Sequence, residues 1–127
     1  MRVTNLLYRY GLDDVHVRYK NMSHYGFYEF DENIIYISKQ HRESINWNNL
    51  EESKEFYMTL LHEIKHAIDR RNLGLDKFLE WYQMSGEEAI QNGMDFYRGN
   101  DWEIEAEKFA KREFEKLINE GYLKWGI

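Results

Sequence analysis

The segment NLEESKEFYMTLLHEIKHAIDRRN, residues 49–72, constrains the fold more than any other stretch of the chain. Phe56, Leu60, Ile64 and Ala67 recur at three- and four-residue spacing, and Leu61 and Ile68 widen the stripe, as on one face of an α-helix. Acidic residues crowd the start and Arg70 and Arg71 close the end, the arrangement that complements a helix dipole. A helix this long must be covered along its apolar face by the rest of the chain. Three polar residues, His62, Glu63 and His66, sit in its middle, embedded between MTLL and AI.

The covering elements can be read on either side. VTNLLYRYG spaces Val3, Leu6, Leu7 and Tyr10 helically, with Gly11 as its stop. VHVRYK alternates with period two, and YGFYEF and IIYIS flank DEN, a tight turn between two β-rich runs. Residues 14–38 are therefore expected to form a small antiparallel sheet. After the central helix, DKFLEWYQM reads as a short helix, and SGEE as a capping box opening another at Glu87. DWEIEAEKFAKREFEKLINEG makes a long amphipathic helix on Ile104, Phe109, Phe114, Leu117 and Ile118, closed by Gly121. Strands first and helices afterwards predict an α+β fold in one domain, residues 1–127, with no repeat, linker or proline.

Composition narrows the chemistry. Hydrophobic residues are 43% and aromatics 17% of the chain, enough for a core despite 31% charge. There is no cysteine, so disulfides, thiolate zinc sites and a cysteine nucleophile are excluded, and any metal must be held by His, Asp or Glu. A net charge of −6 argues against non-specific nucleic-acid binding, which needs clustered Lys and Arg. KREFEK is mixed in sign and reads as a solvated helix face. The start, MRVTNLLYRYG, has too short an apolar run for a signal peptide, and no segment is long enough to span a bilayer. The expected compartment is cytoplasmic.

On an α-helix, positions i and i+4 lie about 6 Å apart along the axis and about 40° apart around it. His62 and His66 can thus aim at one point, and Glu63, about 100° round from His62, reaches beside that point rather than onto it. An i, i+4 pair on a solvated face would need no function, but this one is set against a core. His62-Glu63-Ile64-Lys65-His66 reads HExxH, a zinc metallopeptidase signature. Zinc lowers the pKa of its bound water to about 7. A carboxylate beside it then takes the proton as hydroxide attacks a carbonyl.

Two histidines leave such a site short of a third protein ligand. The five histidines are His16, His24, His41, His62 and His66, so none lies downstream, and a carboxylate from a later helix is the natural donor. HEIKH followed by WEIEAEKFA resembles the gluzincin metallopeptidases, most closely the small ImmA/IrrE-like group, over the two helices and the preceding sheet. In that group the second helix reads E-x-x-A-x-x-F-A. The resemblance implies a zincin-like minimal fold, with a sheet packed on the HExxH helix and a C-terminal glutamate helix. It further implies Zn2+ held by His62, His66 and Glu103, with Glu63 catalytic and Glu107 steadying a histidine ligand from behind. Glu107 departs from the group's usual Asp or Asn by one methylene. Helix geometry agrees: Glu103 and Glu107 are i, i+4 and share a face with the small residues Ala106 and Ala110, whereas Glu105 points elsewhere. A rival third ligand is Glu88 of EEAIQN, with Asn92 four residues on.

Other candidates carry less. Tyr97 and Tyr82 could donate to the oxyanion, though with ten tyrosines most are packing residues. His41 is expected in an exposed loop flanking the cleft, and His16 and His24 on or beside strands. Asp69 is expected to cap the helix or pair with Arg70. The GFYEFDENIIYISK hairpin offers an edge strand to an extended peptide. The expected function is a zinc metallopeptidase hydrolysing a protein or peptide, with no nucleic-acid or membrane partner. A regulatory protein partner on a separate polypeptide fits the resemblance. The alternatives are a non-catalytic, zinc-stabilised protein-binding module, and a metal-free domain whose two histidines are surface residues.

Overall fold

Residues 50–73 wind into the central helix of the molecule. The computed structural model describes residues 3–123. In chain order these form α1 (Val3–Arg9), β1 (His16–Lys20), β2 (Gly26–Glu29), β3 (Ile34–Ser38), α2 (Lys39–Ser44), α3 (Leu50–Leu73), α4 (Leu75–Gln91) and α5 (Asp101–Asn119). The fold is α+β. The Asn49 side chain starts α3 by accepting from the N–H groups of Glu51 and Glu52 at 3.0 and 3.2 Å. The basic end of α3 is tied down. Arg70 Nε donates to the Phe30 carbonyl at 2.7 Å, and Arg71 to those of Tyr10 and Gly11 at 2.8 and 3.0 Å.

The sheet has three strands in the order β1-β3-β2. β2 and β3 form the expected antiparallel hairpin, turned at Asn33, whose φ is +59°. β1 runs parallel to β3, His16 opposite Ile34 through Lys20 opposite Ser38. The sheet is thus mixed rather than antiparallel. Period-two alternation identifies strands but not their neighbours, and only the short 30–33 turn dictated a pairing. β3 lies in the centre, with Ile35 and Ile37 buried, and the outer edge of β2, beside α3, has no second strand among the described residues.

Two helical expectations change. Residues 39–44, around the His41 expected in a loop, form α2, with the Ser38 hydroxyl accepting from the His41 N–H at 3.2 Å. DKFLEWYQM and SGEE belong to one continuous helix, α4, entered from α3 through Gly74 at φ +84°. Ser85 therefore caps no helix at Glu87. Its hydroxyl instead accepts from the Asp101 N–H at 2.9 Å, across at the start of α5. Gly86 is buried, and a Cβ there would lie 2.2 Å from Cε2 of Phe96, so the glycine lets the 92–100 connection close over the helix.

The core joins Phe56, Leu60, Leu61, Ile64 and Ala67 of α3 to Phe109, Ala110, Phe114 and Leu117 of α5, with Ile35, Ile37 and Tyr28 of the sheet and Leu6 and Leu7 of α1. Each large side chain so buried contributes about 1.5–3 kcal/mol. The most extensive contact between two elements is that of α3 with α5. Among the described residues, no helix is long and apolar enough to cross a membrane.

Candidate metal centre

The site forms where the α3–α5 seam turns from hydrocarbon to polar groups. α3 presents His62 and His66 one turn apart, with ring centroids separated by 4.9 Å. α5 presents Glu103 in its first turn, where the helix dipole favours a negative charge. One carboxylate oxygen of Glu103 lies 2.7 Å from Nε2 of His62 and 3.0 Å from Nε2 of His66. Both imidazoles therefore converge on one oxygen. Ligating atoms of His62, Glu63 and His66 also lie within 4.8 Å of one another.

These distances bear on whether the residues fit a metal. Tetrahedral zinc with ligands at about 2.0–2.1 Å has donor–donor edges of about 3.3 Å. The two His–Glu103 edges are shorter than that by about 0.3 to 0.6 Å, so a small outward shift of the carboxylate makes room. Two imidazoles and a carboxylate are also a donor set that zinc takes. Glu63 and Glu103 are separate candidates for the third ligand. Glu103 is the one whose oxygen meets both Nε2 atoms, while Glu63 has a buried Oε2 with no hydrogen-bond partner. The Glu63 carboxyl also takes a hydrogen bond from the Tyr28 backbone.

The outer nitrogens of the histidines are treated differently. Nδ1 of His62 meets a Glu107 oxygen at 2.9 Å, whereas Nδ1 of His66 is buried without a partner. Without a metal both ring nitrogens of His62 donate to carboxylates; with Nδ1–H held by Glu107, loss of the Nε2 proton would leave that nitrogen as the lone-pair donor a metal requires. Glu107 spans the gap from an exposed position, its side chain 55% accessible. On the other side, Phe78 and Tyr82 of α4 close over His66, with ring centroids 6.3 and 6.2 Å from the imidazole, and leave it 3% exposed. His62 is half-buried and lines the cleft, whereas His66 is buried.

Electrostatics follow the contacts. Burial alone would lower the pKa of His62, but the hydrogen bond to Glu103, the charges of Glu63 and Glu103 and the Glu107 contact raise it from 6.5 to about 9. Burial works to raise Glu103, yet hydrogen bonds from His62, His66 and Tyr82 hold it well below the usual carboxylate range. Burial pushes the Glu63 carboxyl up, against the opposing pull of His66 and His62.

Tyr82, weighed as an oxyanion donor, is committed elsewhere: its hydroxyl donates to Oε2 of Glu103. Burial and that carboxylate push the phenol up and keep it protonated. Tyr97 is 63% exposed and lines the cleft with His62 and Glu103. Glu88 is exposed on α4, with no hydrogen bond or ion pair to either histidine. His24 lines a hollow with His62 and Glu63, and His16 is exposed on β1. His41 is no loop residue. It lies on α2 and stacks on Tyr25 at 3.9 Å, with its Nε2 buried and unpartnered. Asp69 pairs with Lys65 rather than Arg70.

One positioning residue escaped the sequence reading. Asn100 is fully buried; its Oδ1 accepts from the Trp102 N–H and its Nδ2 donates to the Tyr82 carbonyl, both at 3.0 Å. It starts α5 and pins that start to α4, which fixes Glu103 three residues later. The signal was present as Asn-Asp-Trp-Glu, an N-cap residue three positions before a glutamate. No protein-family model, curated protein or solved structure matches the chain.

Proposed function

We propose that the protein is a cytoplasmic, zinc-dependent metallopeptidase with a minimal zincin-like fold of the ImmA/IrrE type. The observation that carries this reading is the meeting of both Nε2 atoms at one oxygen of Glu103. His62, His66 and Glu103 would hold the metal. Glu107 and Tyr82 orient His62 and Glu103 from outside. When bound, zinc supplies a Lewis acid that makes water nucleophilic near neutral pH.

Each protein group then has a task. An extended peptide lies along the outer edge of β2, whose Tyr28 N–H is engaged by Glu63 and where Phe27, Tyr28 and Phe30 share a hollow of about 280 Å³ with Glu63, His66 and Glu103. Glu63 accepts a proton from the attacking water as its oxygen bonds to the scissile carbonyl carbon. The same carboxyl delivers that proton to the amide nitrogen as the C–N bond breaks. Tyr97, on the rim, is placed to donate to the carbonyl oxygen as it gains charge.

A non-catalytic zinc-stabilised binding module is the second reading. It draws on the burial of Glu63 and its hydrogen bond from the Tyr28 backbone, which give that carboxyl a structural tie. Zinc analysis with a Glu63→Gln variant separates the two. The peptidase should hold one zinc per chain, keep it in Glu63→Gln, and lose peptide cleavage by about 100- to 10,000-fold, the usual contribution of a general base. Cleavage at full rate in Glu63→Gln refutes the mechanism. Bound zinc without cleavage of any peptide favours the binding module, and a zinc-free wild type removes both.

A further inference from the structure

Two hollows meet at His62 and Glu107, and their walls differ in charge. The one bounded by β2 and α3 is lined by Glu55 and Glu63 and by no lysine or arginine. The other, of about 480 Å³ and lined in part by α5, carries Arg98, Lys108 and Lys111 beside Tyr97 and Ile104. Its volume lies in the range of ligand clefts, about 300–1,000 Å³. Three cations on one wall are not the background of a chain whose net charge is −6.

The carboxylates nearby do not neutralise that wall. Glu103 is engaged by both histidines and Glu107 by His62. Lys108 reaches Glu105 only across a solvent-exposed 3.6 Å, a contact of the weak surface kind. Arg98 lies near Asp95, whose carboxylate already accepts from the N–H groups of Tyr97 and Arg98 at 2.9 and 3.0 Å. Lys111 makes no ion pair among the described residues and faces both this hollow and the groove beyond it, towards Phe114.

We propose that the hollow lined by Arg98, Lys108 and Lys111 is a specificity subsite for a carboxylate of the peptide substrate, immediately beside the bond that Glu63 addresses. The proposal rests on the peptidase reading for the position of that bond, but the subsite can be tested without turnover. A carboxylate there comes either from an Asp or Glu side chain or from the peptide's own C-terminus. Tyr97 and Ile104 supply apolar wall for the stem of the residue that carries it.

The test is a titration of the zinc-loaded Glu63→Gln protein with three fluorescent peptides of one apolar frame. The first carries two central glutamates and an amidated C-terminus. The second has no charged side chain and a free C-terminal carboxylate, and the third has two central lysines and an amidated C-terminus. We expect the first or the second to bind at least about ten-fold tighter than the third, and which one does so names the source of the carboxylate. The advantage should shrink at high salt, because the Debye length falls from about 10 Å at 0.1 M to about 3 Å at 1 M. Adding Arg98→Glu, Lys108→Glu and Lys111→Glu together should abolish or invert the ranking at unchanged zinc content, with the corresponding Gln triple variant falling between. Equal binding of all three peptides overturns the subsite, as does a ranking that the charge reversals leave unchanged. Zinc content reports separately on the peptidase reading. Were no zinc bound, the same ranking on the metal-free protein would still decide the subsite.

Discussion

The α3–α5 seam has two halves built from the same pair of helices. Over Phe56, Leu60, Phe114 and Leu117 it is hydrocarbon, buried and free of unmet polar groups. Over His62, His66, Glu103 and Glu107 it is ionisable, and it keeps two buried atoms without partners, Nδ1 of His66 and Oε2 of Glu63. A buried polar atom left unpaired costs about 1–3 kcal/mol. One half therefore holds the helices together, and the other draws on that stability to keep unpartnered polar atoms in place. The small residues Ala106 and Ala110 lie fully buried between the two, where they allow the helix backbones to approach.

Removing a ligand should break the polar half alone. Glu103→Ala is expected to weaken zinc binding by about 3–5 kcal/mol, the share of one of three protein ligands in a site worth about 10–16 kcal/mol. Competition with a chelator measures it, and unchanged affinity would move the third ligand elsewhere. Truncating the apolar half should do the converse. Leu60→Ala, at a position with no exposed surface, should lower unfolding free energy by about 2–5 kcal/mol in denaturant titration. The zinc affinity of the folded fraction should not change.

Smaller effects sharpen the contrast. Glu107→Gln keeps the shape but weakens the hold on Nδ1 of His62, and should reduce zinc affinity by about 10- to 100-fold. Stability of the metal-free protein should also depend on pH through the polar half. His62, raised from 6.5 to about 9, contributes stability that is fully present below 6.5 and lost as pH rises through 9. Glu103, held below its ordinary 4.5, contributes above 4.5 and loses that contribution as pH falls. The pair thus supports the metal-free fold most between those two ordinary values. Melting temperature should decline from pH 6.5 to 9, and a His62→Ala variant should flatten that decline.

The two halves were also unequally legible in the sequence. The helical stripe of Phe56, Leu60 and Ile64 and the i, i+4 spacings of His62 with His66 and of Glu103 with Glu107 are local, so periodicity reveals them. Bringing α5 to α3 took more than periodicity, and the resemblance in WEIEAEKFA supplied it. What stayed hidden depended on distant partners. The parallel placement of β1 beside β3 follows from which edge of the hairpin was free. Ser85 and Gly86 looked like a helix start because their local pattern is one, yet Phe96 and Asp101 give them a packing role inside α4. Tyr82 was one tyrosine among ten until Glu103 stood opposite its hydroxyl.

Asn100 and Ser85 anchor the first turn of α5 directly to α4, and Phe96, earlier in the connection between the two helices, packs on Tyr82, whose hydroxyl donates to Glu103. That loop carries Tyr97 and Arg98 to the mouth of the cleft. One short connection thus serves two ends: its last residue sets where Glu103 stands, and its middle sets the rim of the hollow.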